Sequence, residues 1–338
     1  MTVHLIAVQA AMRLADYRDA ETFAARVLEL AERAVAGLDG APKLIAFPET
    51  IGLPLLLTLG PSGSDYGRVA GSGRVTEAAQ RLLQTYWRAV LGTAWRFRAL
   101  GPEALFLARA LPAYRAYTAA FAAAARRTGA TVVAGSSFLP HIELEAVRGT
   151  HIADPRVYNV AYTFAPTGTL LDRTAKRYLT PGLESHLGLS RALPEAQHTF
   201  ETPVGRVGVA VCLDGFYSSV VDRFDALGAQ IVVQPSANFA PWTRPWPPDP
   251  SVTEGEAWLA WGLRAHLQGR LHLRYGINPM LVGGLFDLQA RGRTSIVCNA
   301  RLHDAETEGY RGVLKLAETD DQEEIVRVIV PLKPRCRA

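Results

Sequence analysis

Three side chains of different chemistry stand where apolar segments end: a carboxylate, an amine and a thiol. Glu49 follows Leu44-Ile-Ala-Phe-Pro48, Lys176 lies in Arg173-Thr-Ala-Lys-Arg-Tyr-Leu-Thr-Pro181, and Cys212 closes Gly205-Arg-Val-Gly-Val-Ala-Val. A thiol with an ordinary pKa near 8.5 is mostly protonated at neutral pH, so a poised base and a neighbouring cation both favour its reactive thiolate. A partly buried carboxylate can accept that proton, and an ammonium can stabilise the negative charge of a tetrahedral intermediate. Each residue alone has a plainer reading. Strand-end cysteines commonly serve as small buried hydrophobes, a glutamate after a strand is commonly solvated, and Lys176 beside Arg177 fits an ordinary surface pair.

The elements that must position these groups follow from apolar spacing. Val3 to Val8 suits a buried strand, Phe23, Val27, Leu30, Ala31 and Ala34 recur at helical spacing, and Lys43 to Phe47 suits a second strand. Strand, helix, strand at these lengths predicts a parallel crossover and hence an α/β sheet. The theme returns with a helix over Tyr114 to Arg127 before Thr131-Val-Val-Ala134, and with strands Val204 to Val211 and Ala229 to Val233 around a helix near Phe216 to Leu227. Tyr158 to Phe164 and Thr169 to Asp172 flank the turn signal Ala165-Pro-Thr-Gly168, which predicts a hairpin. A helix over Glu254 to Gln268 and strands at Thr294 to Val297, Gly312 to Leu316 and Ile325 to Val330 complete the pattern.

The chain has 338 residues, 49% of them hydrophobic, enough for a substantial core. No repeat or composition break marks a linker, so one domain over 1–338 is expected, with an insertion at about 51–110 and a short C-terminal tail. The insertion contains Tyr86, Trp87, Trp95 and Phe97, and the proline-rich Pro241 to Pro250 carries Trp242 and Trp246; the segments 51–110 and 236–250 are candidates to line a pocket for an apolar or aromatic acyl group. A net charge of +4 from scattered residues shows no phosphate-tracking face, which argues against nucleic acid as a partner. Cys212, Cys298 and Cys336 are too few for a disulfide framework or a zinc knuckle, which predicts a cytoplasmic protein. Cys298 reads as a core residue and Cys336 as an exposed spare thiol. His266 and His272, six apart, do not share a helical face, and no metal site is expected. The N-terminal apolar run reads as a strand, and no run approaches the roughly 20 residues of a membrane span.

Taken together, Phe47-Pro-Glu49, Lys176-Arg-Tyr-Leu-Thr-Pro181 and the strand ending Val211-Cys-Leu-Asp214 resemble, in order and spacing, the three signatures of the nitrilase superfamily of carbon–nitrogen hydrolases. The resemblance extends to Gly129-Ala-Thr-Val-Val-Ala-Gly135, to Tyr158-Asn-Val-Ala-Tyr before the lysine, and to Gly228-Ala-Gln-Ile-Val-Val-Gln-Pro-Ser-Ala-Asn238. It implies a four-layer α-β-β-α sandwich that pairs as a homodimer or higher homo-oligomer. It further implies Glu49 as general base, Cys212 as nucleophile on a small-molecule amide or nitrile, and Lys176 with the Leu213 backbone N–H as oxyanion stabilisers. A thioester would form and be hydrolysed without metal or cofactor. Glu184, eight residues after Lys176, matches the second glutamate of some amidases in the superfamily.

The sequence departs from the common pattern after Asp214, where Gly215-Phe-Tyr-Ser-Ser219 replaces an arginine or aromatic followed by Pro-Glu, and at Cys298-Asn299, where Asp-Pro is usual. Acyl transfer to an amine, or a catalytically silent binding or regulatory role, are the alternatives. Membrane-surface association through the tryptophan-bearing insertion has no clean amphipathic pattern in the sequence to support it.

Overall fold

A computed structural model describes residues 1–99, 101–145, 149–302 and 304–332. Cys336 lies outside the described residues. The expected crossover units are present, and alternation along their strands explains how they stack. β1 (Thr2–Gln9), α1 (Ala20–Val35) and β2 (Lys43–Ala46) are followed by helices α2 (Val75–Phe97) and α3 (Pro102–Thr128) and by β3 (Thr131–Glu145), β4 (Gly149–Phe164) and β5 (Leu170–Ala175). The second half contains β6 (Thr199–Thr202), β7 (Gly205–Val209), α4 (Ser218–Ala226), β8 (Ile231–Val233), α5 (Glu254–Trp261), α6 (Leu263–Leu267), β9 (Tyr275–Asn278), β10 (Ser295–Cys298), β11 (Val313–Leu316) and β12 (Glu324–Pro331).

Two six-stranded sheets form, ordered β12-β1-β2-β3-β4-β5 and β11-β10-β9-β8-β7-β6. Each has three parallel central strands, β1, β2 and β3 in one and β7, β8 and β9 in the other, flanked by antiparallel neighbours. Because side chains alternate across a strand, each strand feeds two cores. Val3, Leu5, Ala7, Leu44 and Ala46 meet Val207, Val209, Ile231, Val233 and Ile277 between the sheets. The intervening Ile6, Val8, Ile45 and Phe47 pack under α1 and α3, and Ala210, Val232 and Val297 pack under α4, α5 and α6. Three cores separate four layers, the α-β-β-α sandwich expected from the sequence. Cys298 is fully buried between the sheets, as its apolar setting predicts.

Several local expectations change. The helix expected over Glu254 to Gln268 breaks into α5 and α6 at Gly262, where φ −73°, ψ −156° leaves the helical region. The helix around Tyr114 starts earlier, at Pro102, and so reaches into the 51–110 segment. Parts of that segment are tied together by one largely buried polar cluster. Arg109 of α3 donates from Nε to Leu56 O (2.5 Å) and from Nη2 to Asp65 Oδ2 (2.8 Å), while the Tyr86 hydroxyl of α2 reaches Asp65 Oδ1 (2.6 Å). The turn at 165–168 closes the hairpin of β4 and β5, with Gly168 at φ +80° and its N–H on Ala165 O.

Gly135 brings the two halves of the first sheet's carboxyl edge together. It adopts φ +71°, and a Cβ there would lie 2.0 Å from Pro48 O, the carbonyl just before Glu49. Gly37 has a similar φ of +73° with open space around it. Gly37→Ala should therefore cost about 1 kcal/mol from conformation alone. Gly135→Ala should cost about 2–3 kcal/mol, because the backbone must also move. Urea denaturation checks both, and equal losses would refute the steric contribution at Gly135.

Candidate active site

Glu49, Lys176, Glu184 and Cys212, separated by up to 163 residues (212 − 49), converge in one buried place. Glu49 leaves the end of β2 through Phe47, whose N–H still pairs with Val133 O, and Thr50 then takes φ +59°, fixed by its N–H on Ser136 Oγ (2.9 Å). Lys176 follows β5 directly, its N–H on Asn159 O of β4 (2.8 Å). Cys212 sits beyond β7 at φ +50°, a strained conformation for a residue with a Cβ, in a single 3-10 turn over Cys212–Phe216. Its N–H bonds Pro235 O (2.8 Å) and its carbonyl accepts from Gln234 Nε2 (2.7 Å). The turn at this strand end is thus held on both sides by the segment after β8.

The Lys176 ammonium donates to Glu49 Oε1 (2.8 Å) and to Glu184 Oε2 (2.7 Å), with Thr180 Oγ1 farther off at 3.5 Å. Glu49 Oε2 accepts the Ala237 N–H (3.0 Å), and Glu184 Oε2 accepts the Thr180 N–H (2.7 Å). The Cys212 thiol donates to Ala237 O (3.8 Å), the same residue whose N–H Glu49 Oε2 accepts, so the thiol and the carboxylate meet at Ala237. Leu213 is the second residue of the 3-10 turn, a position whose N–H has no acceptor within the turn.

Two carboxylates face one ammonium, and the protonation of the site follows from that imbalance. Burial pushes the Cys212 thiol well up, and the Glu49 charge adds to this against the opposing pull of Lys176. Burial likewise raises Glu49, opposed by Lys176 and assisted by the charge of Glu184. Burial works against the Lys176 ammonium, but the negative charge that Cys212, Glu49 and Glu184 can carry outweighs it and holds the amine charged. The resting site is a neutral thiol beside a carboxylate with raised proton affinity.

Two residues absent from the sequence-based set complete the arrangement. Asn159, buried within β4, donates from Nδ2 to Glu49 Oε1 (2.8 Å) and to Glu184 Oε1 (2.6 Å), fixing the spacing of the carboxylates around Lys176. An asparagine inside Tyr158-Asn-Val-Ala-Tyr162 is the signal that marks it, since a polar side chain in a buried strand needs partners. Asp214, fully buried, accepts the N–H groups of Arg177 (3.0 Å) and Tyr178 (2.7 Å), tying the lysine segment to the cysteine turn.

An open cavity of about 530 Å³ is lined by Asp19, Leu59, Gly60, Ser64, Pro112 and Arg115 among others, and includes none of the converging residues, which are 6% exposed or less. Trp242, expected to line a pocket, packs against Gly255, where a Cβ would lie 2.2 Å from its Nε1. One exposed group among the described residues, Glu143, Glu145 and His151, brings potential metal-ligand atoms within 4.8 Å at the end of the β3–β4 hairpin. It draws on two strands, so sequence spacing does not reveal it.

Asp214 generates a prediction. Burial pushes its carboxyl up to about 7 from 3.8, against the pull of the two N–H donors. The folded state therefore holds this proton more tightly than the unfolded chain, and stability from this group is lost as pH rises from about 4 through about 7. Asp214→Asn has no such proton to lose. The urea-midpoint advantage of the wild type over the variant should shrink across that window, and a gap constant from pH 4 to 8 would contradict the raised carboxyl.

Residues 6–255 match the family described as Carbon-nitrogen hydrolase. Human omega-amidase NIT2 is 31% identical over 87 residues, a match spanning 24% of this chain and about a third (32%) of that enzyme. Among solved structures, a carbon-nitrogen hydrolase from Helicobacter pylori G27 superposes with a TM-score of 0.59 at 17% identity, covering 98% of this chain and 90% of that one. Saccharomyces cerevisiae Nit3, of the nitrilase superfamily, gives 0.56 at 16% identity over 97% and 89%. The nitrilase-superfamily amidase of Nesterenkonia AN1 gives 0.55 at 16% identity over 98% and 92%, and one form of that enzyme carries the acetamide moiety of fluoroacetamide on its active-site cysteine. With the family match over most of its length and the four-layer fold to accompany it, the chain belongs to the carbon–nitrogen hydrolase family.

Proposed function

We propose that the protein hydrolyses a non-peptide carbon–nitrogen bond in a small molecule, with an amide preferred to a nitrile, through a thioester on Cys212 within a single 1–338 domain. The observation that carries this reading is the convergence of the buried Cys212 thiol and the Glu49 carboxylate on Ala237, beside a Lys176 ammonium that holds both Glu49 and Glu184. Glu49 takes the thiol proton as sulfur attacks the carbonyl carbon. The oxyanion is stabilised by Lys176 and by the Leu213 N–H. Two hydrogens of the ammonium are committed to Glu49 and Glu184, so the third, only loosely held by Thr180 at 3.5 Å, turns toward the oxyanion. Collapse breaks the C–N bond, and protonated Glu49 returns its proton to the leaving nitrogen. A water then gives a proton to Glu49 and attacks the thioester, which releases the carboxylic acid and restores the thiol.

Glu184 and Asn159 act as positioning residues, holding Lys176 and Glu49 in register. The raised proton affinity of Glu49 suits a base that must accept and return a proton within one turnover. This chemistry needs no metal or cofactor. Its place would be a cytoplasmic homodimer or higher homo-oligomer.

Cys212→Ala should abolish turnover, and Glu49→Gln should lower kcat/KM by about 10³-fold or more while the fold persists. Mass spectrometry of the wild type with fluoroacetamide should show one adduct, on Cys212. Turnover surviving in Cys212→Ala would overturn the mechanism. Deprotonated Glu49 is the active form, so kcat/KM should fall as pH drops, with its acid limb above the ordinary carboxylate value of 4.5. A limb at or below 4.5 would assign the base elsewhere. An amide panel with added hydroxylamine separates hydrolysis from acyl transfer: hydroxamate formed with no free acid in parallel reactions lacking hydroxylamine would identify a transferase.

A further inference from the structure

The 51–110 segment carries a surface that the chemistry of the site does not use. On α2, Leu83, Trp87, Leu91 and Trp95 recur at every fourth residue and are 38%, 52%, 59% and 89% exposed. Side chains four apart lie one above another on a helix, so Trp87, Leu91 and Trp95 form an apolar row rising about 12 Å along the axis beyond the non-helical break at Tyr86, with Leu83 just before it. Three large apolar side chains aligned in water, with a fourth close by, are not the scattered exposure common on protein surfaces. The row is held outward by a fixed inner face. Ala78, Leu82 and Val90 are buried, and Tyr86, at φ −113°, ψ 21°, turns its hydroxyl to Asp65 of the buried Arg109 cluster.

Charge beside the row identifies what it meets. Arg81, Arg88 and Arg96 recur at seven and eight residues as a second row, with Arg74 and Arg98 flanking the helix. The Arg88 guanidinium lies 5.1 Å from the Trp87 ring centre. The acidic side chain of α2 is Glu77, which already accepts from Arg81 (2.6 Å) and from the Gly73 N–H (2.8 Å). A helix with tryptophan and leucine on one face and arginine next to it matches the interfacial region of a bilayer with anionic headgroups, where tryptophan rings settle at headgroup depth and arginine pairs with phosphate. A two-fold pairing with a second copy would bring the same arginine row against itself, with Glu77 already engaged. No described helix is long and apolar enough to cross a membrane, so the geometry is that of a helix lying in the surface.

We propose that α2 docks the protein peripherally on an anionic lipid surface, with Trp87, Leu91 and Trp95 inserted and Arg88 and Arg96 on the headgroups. The full chain should co-sediment with vesicles of phosphatidylcholine and phosphatidylglycerol, with weaker partition at raised salt and on phosphatidylcholine alone. Tryptophan emission should shift to the blue on binding. The double variant Trp87→Ser, Trp95→Ser, checked for an unchanged circular dichroism spectrum and Tm, should lose at least tenfold in partition. Arg88→Glu with Arg96→Glu should lose the preference for the anionic vesicles. Failure to partition, or partition that the tryptophan variant retains, overturns the proposal. So does a dimer detected by light scattering without lipid and abolished by the tryptophan substitutions, which would assign the row to a second copy of the chain.

Discussion

The structure depends on one buried cation. Removing Lys176 from water costs several kcal/mol, and each carboxylate beside it costs a comparable amount unless the three are brought together with good geometry and further hydrogen bonds. Those partners come from remote parts of the chain: Glu49 from the end of β2, Lys176 from beyond β5, and Glu184 from a 3-10 turn, with Asn159 of β4 bonded to both acids. Until the first sheet is fully paired through β5, none of these charges is compensated. Closing the site and completing that sheet are therefore one requirement.

The second sheet contributes the thiol, and its backbone must be as firmly set as the charges are. A residue with a Cβ at φ +50° persists only when its surroundings overdetermine it. At Cys212 that determination is visible: Pro235 O takes the N–H, Gln234 takes the carbonyl, and Asn278 of β9 holds the Gln234 side chain (3.0 Å). Asp214 then links the cysteine turn to the backbone after Lys176, joining the two sheets at the point where their reactive groups meet. The unfavourable burial of the Asp214 carboxyl is tolerated because two backbone donors that would otherwise be buried without partners need an acceptor there.

The parallel crossover units were legible from short apolar runs and helical spacing, and the four layers followed from the family resemblance, whereas the alternation in β1, β2, β7 and β8 that divides the central core from the helical layers is seen in the packing. The converging acid, amine and thiol were legible as motifs at strand ends. Asn159 and Asp214 were not singled out, since their importance lies in partners more than 15 residues away, which spacing does not encode. The apolar row of α2 was hidden for a different reason. Its inner residues Ala78, Leu82, Tyr86 and Val90 also recur every four, and Leu83, Trp87, Leu91 and Trp95 stand one position further on, so two apolar rows overlap and the periodicity blurs. Burial separates them. The break at Gly262 was missed because glycine is tolerated inside helices, and only the structure shows how crowded this position is, where a Cβ would lie 2.5 Å from the Trp258 carbonyl oxygen.

The departure from the familiar sequence after Cys212-Leu-Asp214 has a physical partner in the same site. A Cβ at Gly215 would fall 2.3 Å from the Gln234 side-chain amide, the group that holds the Cys212 carbonyl. Any larger residue at 215 would have to displace Gln234, and with it one of the two bonds that fix the strained cysteine. Gly215 and Gln234 therefore form a coupled pair: the glutamine supplies the support, and the glycine supplies the room. The large insertion behaves differently. Its buried charge, Arg109 with Asp65, finds its partners inside the insertion and α3, with Arg109 Nη1 left without a hydrogen bond, and shares no hydrogen bond with Glu49, Lys176 or Cys212 among the described residues. Because the two charge networks are separate, the outer face of α2 can change without altering the balance of two carboxylates and one ammonium on which the thiol depends.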